Sequence, residues 1–346
     1  MFPGSAIDVS LRDYDDSILE AYRVLFPGDP DKSPELLKWR FHANPHGPAR
    51  FAIATRDDGA VGMIALVPTA LGNAPGTGRG YQAIDTVVDR SCQGQGLFVK
   101  MGLLAQDAAM LGGEVLWGFP NANASPGWYR KLGWTNFGPA PLLMRPLRSS
   151  FLLGRVHPKL RSIDLPLIRR HASFPAYNSG TEFASDADRL WRRIAPQFGI
   201  AVDRSGDWLR WRLFDKPGNS YRCVGMKSDG GQLEAFVATK LAAKHGARLC
   251  YVMEALAAPV QSADLTAMLL GELSRAARQG AEAALAWCPR WAPNYAAYRR
   301  AGFLPVPPRL RPIEINFGAR ALTQESARAA AADARWYVSF LDSDTN

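Results

Sequence analysis

Cysteine is scarce: Cys92, Cys223, Cys250 and Cys288 are the four in 346 residues, and no two are close in sequence. That scatter excludes a CxxC redox pair and a cysteine-built zinc site, and argues against a disulfide framework. It fits a reducing compartment, so a cytoplasmic location is expected. Long apolar runs are absent too. A stretch such as Val61–Leu71 falls well short of the ~18 residues that cross a bilayer. Met1-Phe2-Pro3-Gly4-Ser5 lacks a basic stretch leading into an apolar one, so no secretory signal is expected. No Gly-Lys-Ser/Thr follows a glycine loop and no GxSxG occurs, which sets aside nucleotide-triphosphate and serine-hydrolase chemistry. His42 and His46 have the spacing of paired helical ligands, but Pro45 breaks the helix between them, so no metal is expected. Hydrophobic residues make up 47% against 21% charged, which excludes a disordered chain.

Acids are the minority charge, and the net charge is +9. Such a balance suits nucleic acid, an anionic membrane face or a phosphorylated cofactor. The deficit is sharpest between Arg145 and His171. There Arg145, Arg148, Arg155, Lys159, Arg161, Arg169 and Arg170 meet one acid, Asp164, with Phe151, Leu152, Leu153, Leu165 and Leu167 among them. The segment reads either as a solvated linker or as a contact surface for an anionic membrane.

The chain repeats itself. Leu37-Lys38-Trp39-Arg40-Phe41, followed by Pro45, recurs as Leu209-Arg210-Trp211-Arg212-Leu213, followed by Pro217. Tyr129-Arg130-Lys131-Leu132-Gly133-Trp134 recurs as Tyr298-Arg299-Arg300-Ala301-Gly302-Phe303, and at that second shift Asp85 falls on Glu254. Ordered matches of this kind predict two copies of one domain. The expected division is a first copy over 1–145, a basic linker over 146–180, a second copy over 181–318, and a C-terminal helix and tail over 319–346. In the first copy, Ser17 to Phe26 and Pro34 to His42 read as helices. Phe51 to Thr55 and Val61 to Pro68 read as strands joined at Asp57-Asp58-Gly59, and Tyr81 to Asp89 is a third strand. Leu97 to Leu111 has helical spacing, Val115 to Phe119 is a strand, and Trp128 to Leu132 is a short helix. The fold class expected is a mixed α/β (α+β) sheet, twice over. Trp39 and Trp211 recur with the fold and read as core, while Tyr81, Gln82 and Trp128 border the expected cleft.

Gln93-Gly94-Gln95-Gly96 lies between a strand and an amphipathic helix. The first N–H groups of a helix lack partners and carry partial positive charge, so glycines there open a phosphate site. The dinucleotide pattern GxGxxG is missing, because position 99 is Val99. The order of Ile84–Asp89, Gln93–Gly96, Trp117–Asn121 and Tyr129–Trp134 resembles the GNAT superfamily of CoA-dependent N-acyltransferases. The resemblance covers residues 35 to 140. It implies acyl-CoA as co-substrate, held by Gln93, Gly94, Gln95, Gly96, Leu97 and Phe98, with Val87 and Val88 pairing with the pantetheine amides. It implies Asp85 as the base or amine-binding acid, Tyr129 as the proton donor to the leaving thiolate, and Asn121 as a CoA-orienting residue, with Asn123 equally placed. At the second copy's shift, Ser262-Ala263-Asp264-Leu265 replaces the glycine loop, so one CoA site is expected. Cys92, inside the loop, offers a covalent route that direct transfer in this family disfavours.

The expected activity is therefore N-acylation of a small-molecule or lipid amine. Candidate acceptors are an envelope-related amino sugar or a long-chain, sphingoid-like amine, with peripheral membrane contact and no nucleic acid. The alternatives are a Fem-like aminoacyl-tRNA-dependent transferase, which the glycine loop argues against, and a non-catalytic CoA-binding module.

Overall fold

The computed structural model describes residues 6–57, 59–72, 78–244, 246–311 and 315–343. Asp58, in the expected hairpin turn, lies outside them; its neighbour Asp57 has φ +49°, the left-handed conformation a tight turn asks for. In chain order the first elements are β1 (Asp8–Asp13), α1 (Asp16–Leu25), α2 (Pro34–Phe41), β2 (Arg50–Arg56), β3 (Gly59–Gly72), β4 (Arg79–Val88), α3 (Leu97–Met110), β5 (Val115–Gly118) and β6 (Thr135–Pro139). Then come β7 (Leu142–Pro146), α4 (Ser149–Val156), α5 (Gly180–Ile194), β8 (Ala201–Val202), α6 (Gly206–Leu213), β9 (Tyr221–Lys227), β10 (Leu233–Lys244) and β11 (Ala247–Ala257). The last are α7 (Ser262–Arg278), β12 (Ala283–Trp287), α8 (Tyr295–Arg300), β13 (Leu304–Pro305) and β14 (Asn316–Ala321). Local chemistry sets the helix starts. Asp15 caps α1 by accepting from Ser17 and Ile18 N–H, and Ser33 caps α2 with Pro34 in its first turn.

Two compact units form, one from residues 1–139 and 314–335, the other from 140–313 and 336–346. The sequence division at 145 and 319 differs from this. Strand β7, expected to end the first copy, hydrogen-bonds to β12 in the second unit, and β14 returns to pair with β5 and β6 in the first. Residues 146–180 carry α4 and a 3-10 turn within the second unit, and 319–346 holds the end of β14 and 3-10 turns where a helix was expected.

The first unit's sheet runs β1-β2-β3-β4-β5-β14-β6, and the second unit's β9-β10-β11-β12-β7-β13. Both are mixed sheets. Each has a single parallel pair at the equivalent place, β4 with β5 and β11 with β12, among the described residues. In the first unit one face of the sheet packs under α3 through Met101, Ala105 and Leu116. The other packs under α1 and α2 through Ile18, Tyr22, Phe41 and Phe51. Trp39 and Trp211 are buried on α2 and α6, where core tryptophans were expected.

Candidate functional site

Strand β4 loses its regular register at Asp85. Met63 of β3 faces Val87 and Ala65 faces Ile84, so Asp85 and Thr86 together oppose one residue. This bulge flips the side-chain alternation: Ile84 and Val87, three apart, pack on the α1/α2 face, while Val88 packs on the α3 face. Asp85 itself has φ +50°, a left-handed conformation that costs a non-glycine residue about 1 kcal/mol or more. The second unit repeats the device. Ala238 faces Glu254 and Thr239 faces Val252, which bulges β11 at Met253 beside Glu254.

The parallel pairing of β4 with β5 covers Gly80–Gln82 against Val115–Trp117 and stops there. Beyond it, the β5-facing edge of β4 runs past Asp85 to Val87 and Val88 with no strand paired to it among the described residues. Extended backbone with an unpaired edge is a template for another extended chain of amides.

Next in sequence a 3-10 turn, Arg90–Cys92, leads into the glycine loop. Asp89 ties this turn by accepting from the Ser91 amide (2.8 Å) and hydroxyl (2.5 Å), and these bonds hold its carboxyl below the usual range. Gln93 Nε2 donates to Val88 O at 3.1 Å, anchoring loop to strand. Gly94 and Gly96 have φ of +78° and +77°, which L side chains rarely adopt. A Cβ on either would meet nothing within 4 Å, so both face open space. Gly96 starts α3 without a side-chain cap, so the first amides of that helix have no side-chain partner from the cap. Cys92 is fully buried in the α3 core, so its thiol is structural.

Phe98, in the first turn of α3, meets Trp128 edge-on with ring centroids 5.3 Å apart. Trp128 lies in a single π-helical turn, Gly127–Lys131, that also carries Tyr129. The tyrosine ring rests on bare backbone: a Cβ on Gly318 of β14 would lie 2.6 Å from Tyr129 Cε1. Gly318 stands opposite Gly118 of β5. The Tyr129 hydroxyl is buried and makes no hydrogen bond among the described residues. Burial pushes its phenol well above the ordinary tyrosine range, so it stays protonated. Asn121 is committed to its own turn, accepting from Asn123 N (3.1 Å) and Ala124 N (3.0 Å). Tyr81 packs beneath Gly112 and Gly113 at the end of α3.

Asp85 points to the α1/α2 side, away from the α3 core. Its carboxylate accepts from Tyr22 Oη at 2.7 Å, pairs with Lys32, and has Arg40 Nη1 at 4.0 Å. The Asp85 and Lys32 side chains are 6% and 10% exposed. Lys32 Nζ also lies 5.8 Å from the Tyr22 ring centroid and 5.3 Å from that of Phe26. The carboxylate thus already holds a primary ammonium framed by two aromatic rings. Sequence reasoning did not find Lys32, Tyr22 or Gly318, since none stands in a motif, and it read the repeat that contains Arg40 only as a mark of duplication. His46 Nδ1 accepts from Ala70 N at 3.1 Å, a turn contact, and no cluster of possible metal ligands occurs among the described residues.

The second unit builds the equivalent place differently. Helix α7 starts at Ser262, so residues 262–265 are helical where the first unit has its loop, with Asp264 in the first turn. Glu254 is fully buried, bound by Arg204 (3.1 Å), Ser339 Oγ (2.9 Å) and Tyr337 Oη (2.5 Å). Arg204, also fully buried, donates to both oxygens of Asp342. Phe340 stacks on Trp287 at 4.7 Å and meets Tyr251 at 5.3 Å. Residues 336–343 therefore fill the space beside β11 and β12, and Tyr298 is buried beneath.

No protein-family profile matches this sequence, and no curated protein does. Solved structures do. N-myristoyltransferase from Saccharomyces cerevisiae, with bound myristoyl-CoA, is similar over 90% of this chain and 82% of its own, at 10% identity and TM-score 0.60. A GCN5-related N-acetyltransferase from Anabaena variabilis is similar over 94% of this chain and 75% of its own, at 12% identity and TM-score 0.60. Together with the bulged β4, the parted β4/β5 edge and the loop opening α3, these likenesses show that the chain has the fold of the GNAT-type N-acyltransferases.

Proposed function

We propose that the first unit is the site of an acyl-CoA-dependent N-acyltransferase. The observation that carries this is the pairing of two left-handed glycines at the start of α3 with the open edge of β4 beside them. The loop amides from Gly94 to Phe98 suit a pyrophosphate, and the edge around Val87 and Val88 suits the amides of a pantetheine arm. The Tyr129 phenol, kept neutral by burial, supplies a proton to a departing thiolate. Asp85 is the acceptor-amine residue. It already binds one ammonium, that of Lys32, so an acceptor amine reaches it when Lys32 withdraws.

In the second unit the loop is replaced by helix and the carboxylate is sealed by residues 336–343. We assign acyl-CoA to the first unit alone. For the acceptor we propose an amine of the amino-sugar or long-chain, sphingoid-like class. The yeast neighbour was solved with myristoyl-CoA, which makes a long acyl chain the first to try. The test is incubation of the purified protein with radiolabelled acetyl-CoA or myristoyl-CoA and a cell extract, followed by separation of labelled amines. Label should pass to an amine with the wild type and not with the Gly94→Glu/Gly96→Glu variant. CoA binding without transfer to any amine would instead make the protein a CoA-binding module.

A further inference from the structure

Five of the eleven large hydrophobic side chains that stand exposed among the described residues fall within one short stretch of the second unit: Leu152, Val156, Ile163, Leu165 and Leu167. Val156 is 77% and Leu165 63% exposed. The stretch is folded. Helix α4 runs out from β7, a 3-10 turn over Pro158–Ser162 reverses the chain, and an extended return runs beside the start of α4. Ser149 N donates to Leu165 O, Leu165 N donates to Ser149 Oγ, and Leu167 N donates to Leu147 O, each at 2.8 Å. Asp164, itself exposed, accepts from Arg148 Nε (2.7 Å) and Ser150 Oγ (2.7 Å) at the start of α4. By the two-residue period of extended chain, Ile163, Leu165 and Leu167 then share the outward face. On α4, Phe151 is buried while Leu152, Arg155 and Val156 face out.

The charges of this hairpin divide the same way. Arg148 is paired to Asp164 and Arg161 to Glu282. Lys159, Arg169 and Arg170 are exposed and make no ion pair among the described residues, and Arg155 lies over the Phe151 ring at 3.7 Å. The single acid is neutralised by Arg148, so the exposed surface of the hairpin carries unpaired cations and aliphatic side chains together.

A solvated linker has no use for five exposed aliphatics. A second copy of this chain would bring like charges together. RNA would engage the cations but not the leucines. A membrane with anionic headgroups engages both, by attraction at the headgroups and by shallow insertion of the apolar side chains.

We propose that the hairpin formed by residues 149–170 docks the protein on an anionic lipid surface. The proposal stands on this surface alone and is independent of the catalytic reading. It is tested by sedimenting the full-length protein with vesicles of phosphatidylcholine, alone or mixed with phosphatidylglycerol. The wild type should pellet with the mixed vesicles at low salt, stay soluble with phosphatidylcholine alone, and dissociate as salt rises. Lys159→Gln/Arg169→Gln/Arg170→Gln should lower the partition coefficient about 100-fold, each surface charge being worth about fivefold near such a leaflet. Val156→Ser/Leu165→Ser, which keeps the charges, should lower it about tenfold or more. All of these positions are exposed, so circular dichroism and thermal unfolding of the variants should match the wild type. The proposal is overturned if the wild type ignores anionic vesicles at low salt, or if either variant set binds as the wild type does. It is also overturned if the same residues prove to mediate self-association in analytical ultracentrifugation, or retention of a tRNA pool, with no vesicle binding.

Discussion

Replacing Asp85 by Asn removes a buried negative charge and changes little else. Asn tolerates the left-handed conformation at φ +50°, and its amide oxygen still accepts from the Tyr22 hydroxyl. What is lost is the counter-charge for Lys32 and for Arg40 at 4.0 Å. Because the pair is about nine-tenths buried, solvent screens it little, and losing one partner of a buried pair costs ~3–5 kcal/mol. Lys32→Met is the milder change. It leaves the carboxylate with Tyr22 and Arg40, and should cost ~1–2 kcal/mol. The double variant should recover ~1–3 kcal/mol relative to the sum of the singles, since the two side chains touch. With two compact units, global unfolding is a poor measure, so the assay is hydrogen exchange by mass spectrometry on peptides from β3 and β4. Asp85→Asn should speed exchange there about 100-fold or more, and Lys32→Met by about 30-fold at most. Equal protection in Asp85→Asn and wild type, or a larger effect from Lys32→Met, would refute the picture of a carboxylate held between two cations.

Further outcomes follow from the same geometry. Gly318→Val should displace the Tyr129 ring, lower kcat in acyl transfer and cost ~1–3 kcal/mol of stability; unchanged turnover would separate that ring from catalysis. Tyr129→Phe should act on kcat at saturating acyl-CoA. Because burial raises the phenol's pKa, the proton-donating form persists throughout the assay range, and Tyr129 should give no falling alkaline limb below about pH 10. An alkaline limb that disappears in Tyr129→Phe would contradict this. Arg204→Met leaves Glu254 and Asp342 buried without their cation and should cost ~3–5 kcal/mol, read as hydrogen exchange about 100-fold or more faster in β11 peptides; unchanged exchange would contradict a guanidinium that holds both acids.

The parts of the candidate site that are local in sequence could be proposed from the sequence alone. Gly94 and Gly96 announce themselves because a helix start with two glycines has few structural uses, and the structure gives both a positive φ in open space. Asp85 was legible through its counterpart Glu254, and both stand at a bulge in the equivalent strand. What could not be read depends on pairings far apart in the chain. Nothing in Leu142–Pro146 says that it joins β12 rather than the strand before it, and nothing in Asn316–Ala321 says that it inserts between β5 and β6. Register between distant strands is set by packing of whole faces, and a short apolar run fits either sheet. Lys32 is hidden for the same reason: on a short turn after α1 it reads as a surface lysine, and tertiary folding alone brings it to Asp85. Asn121 resembles a ligand-orienting residue in sequence, but its carbonyl oxygen is spent on two backbone amides of its own turn.

The central claim is a single acyl-CoA site at the loop that opens α3. Calorimetric titration of the full chain with CoA tests it most directly. One equivalent should bind per chain, and Gly94→Glu/Gly96→Glu should abolish binding while circular dichroism stays native, because both new side chains project into open space. Their carboxylates would meet the pyrophosphate, and the left-handed backbone would strain by ~1–2 kcal/mol per residue. Asp264→Asn in the second unit should leave the stoichiometry and affinity unchanged. Failure to bind CoA, binding of two equivalents, or binding that survives the double glycine substitution would contradict the account.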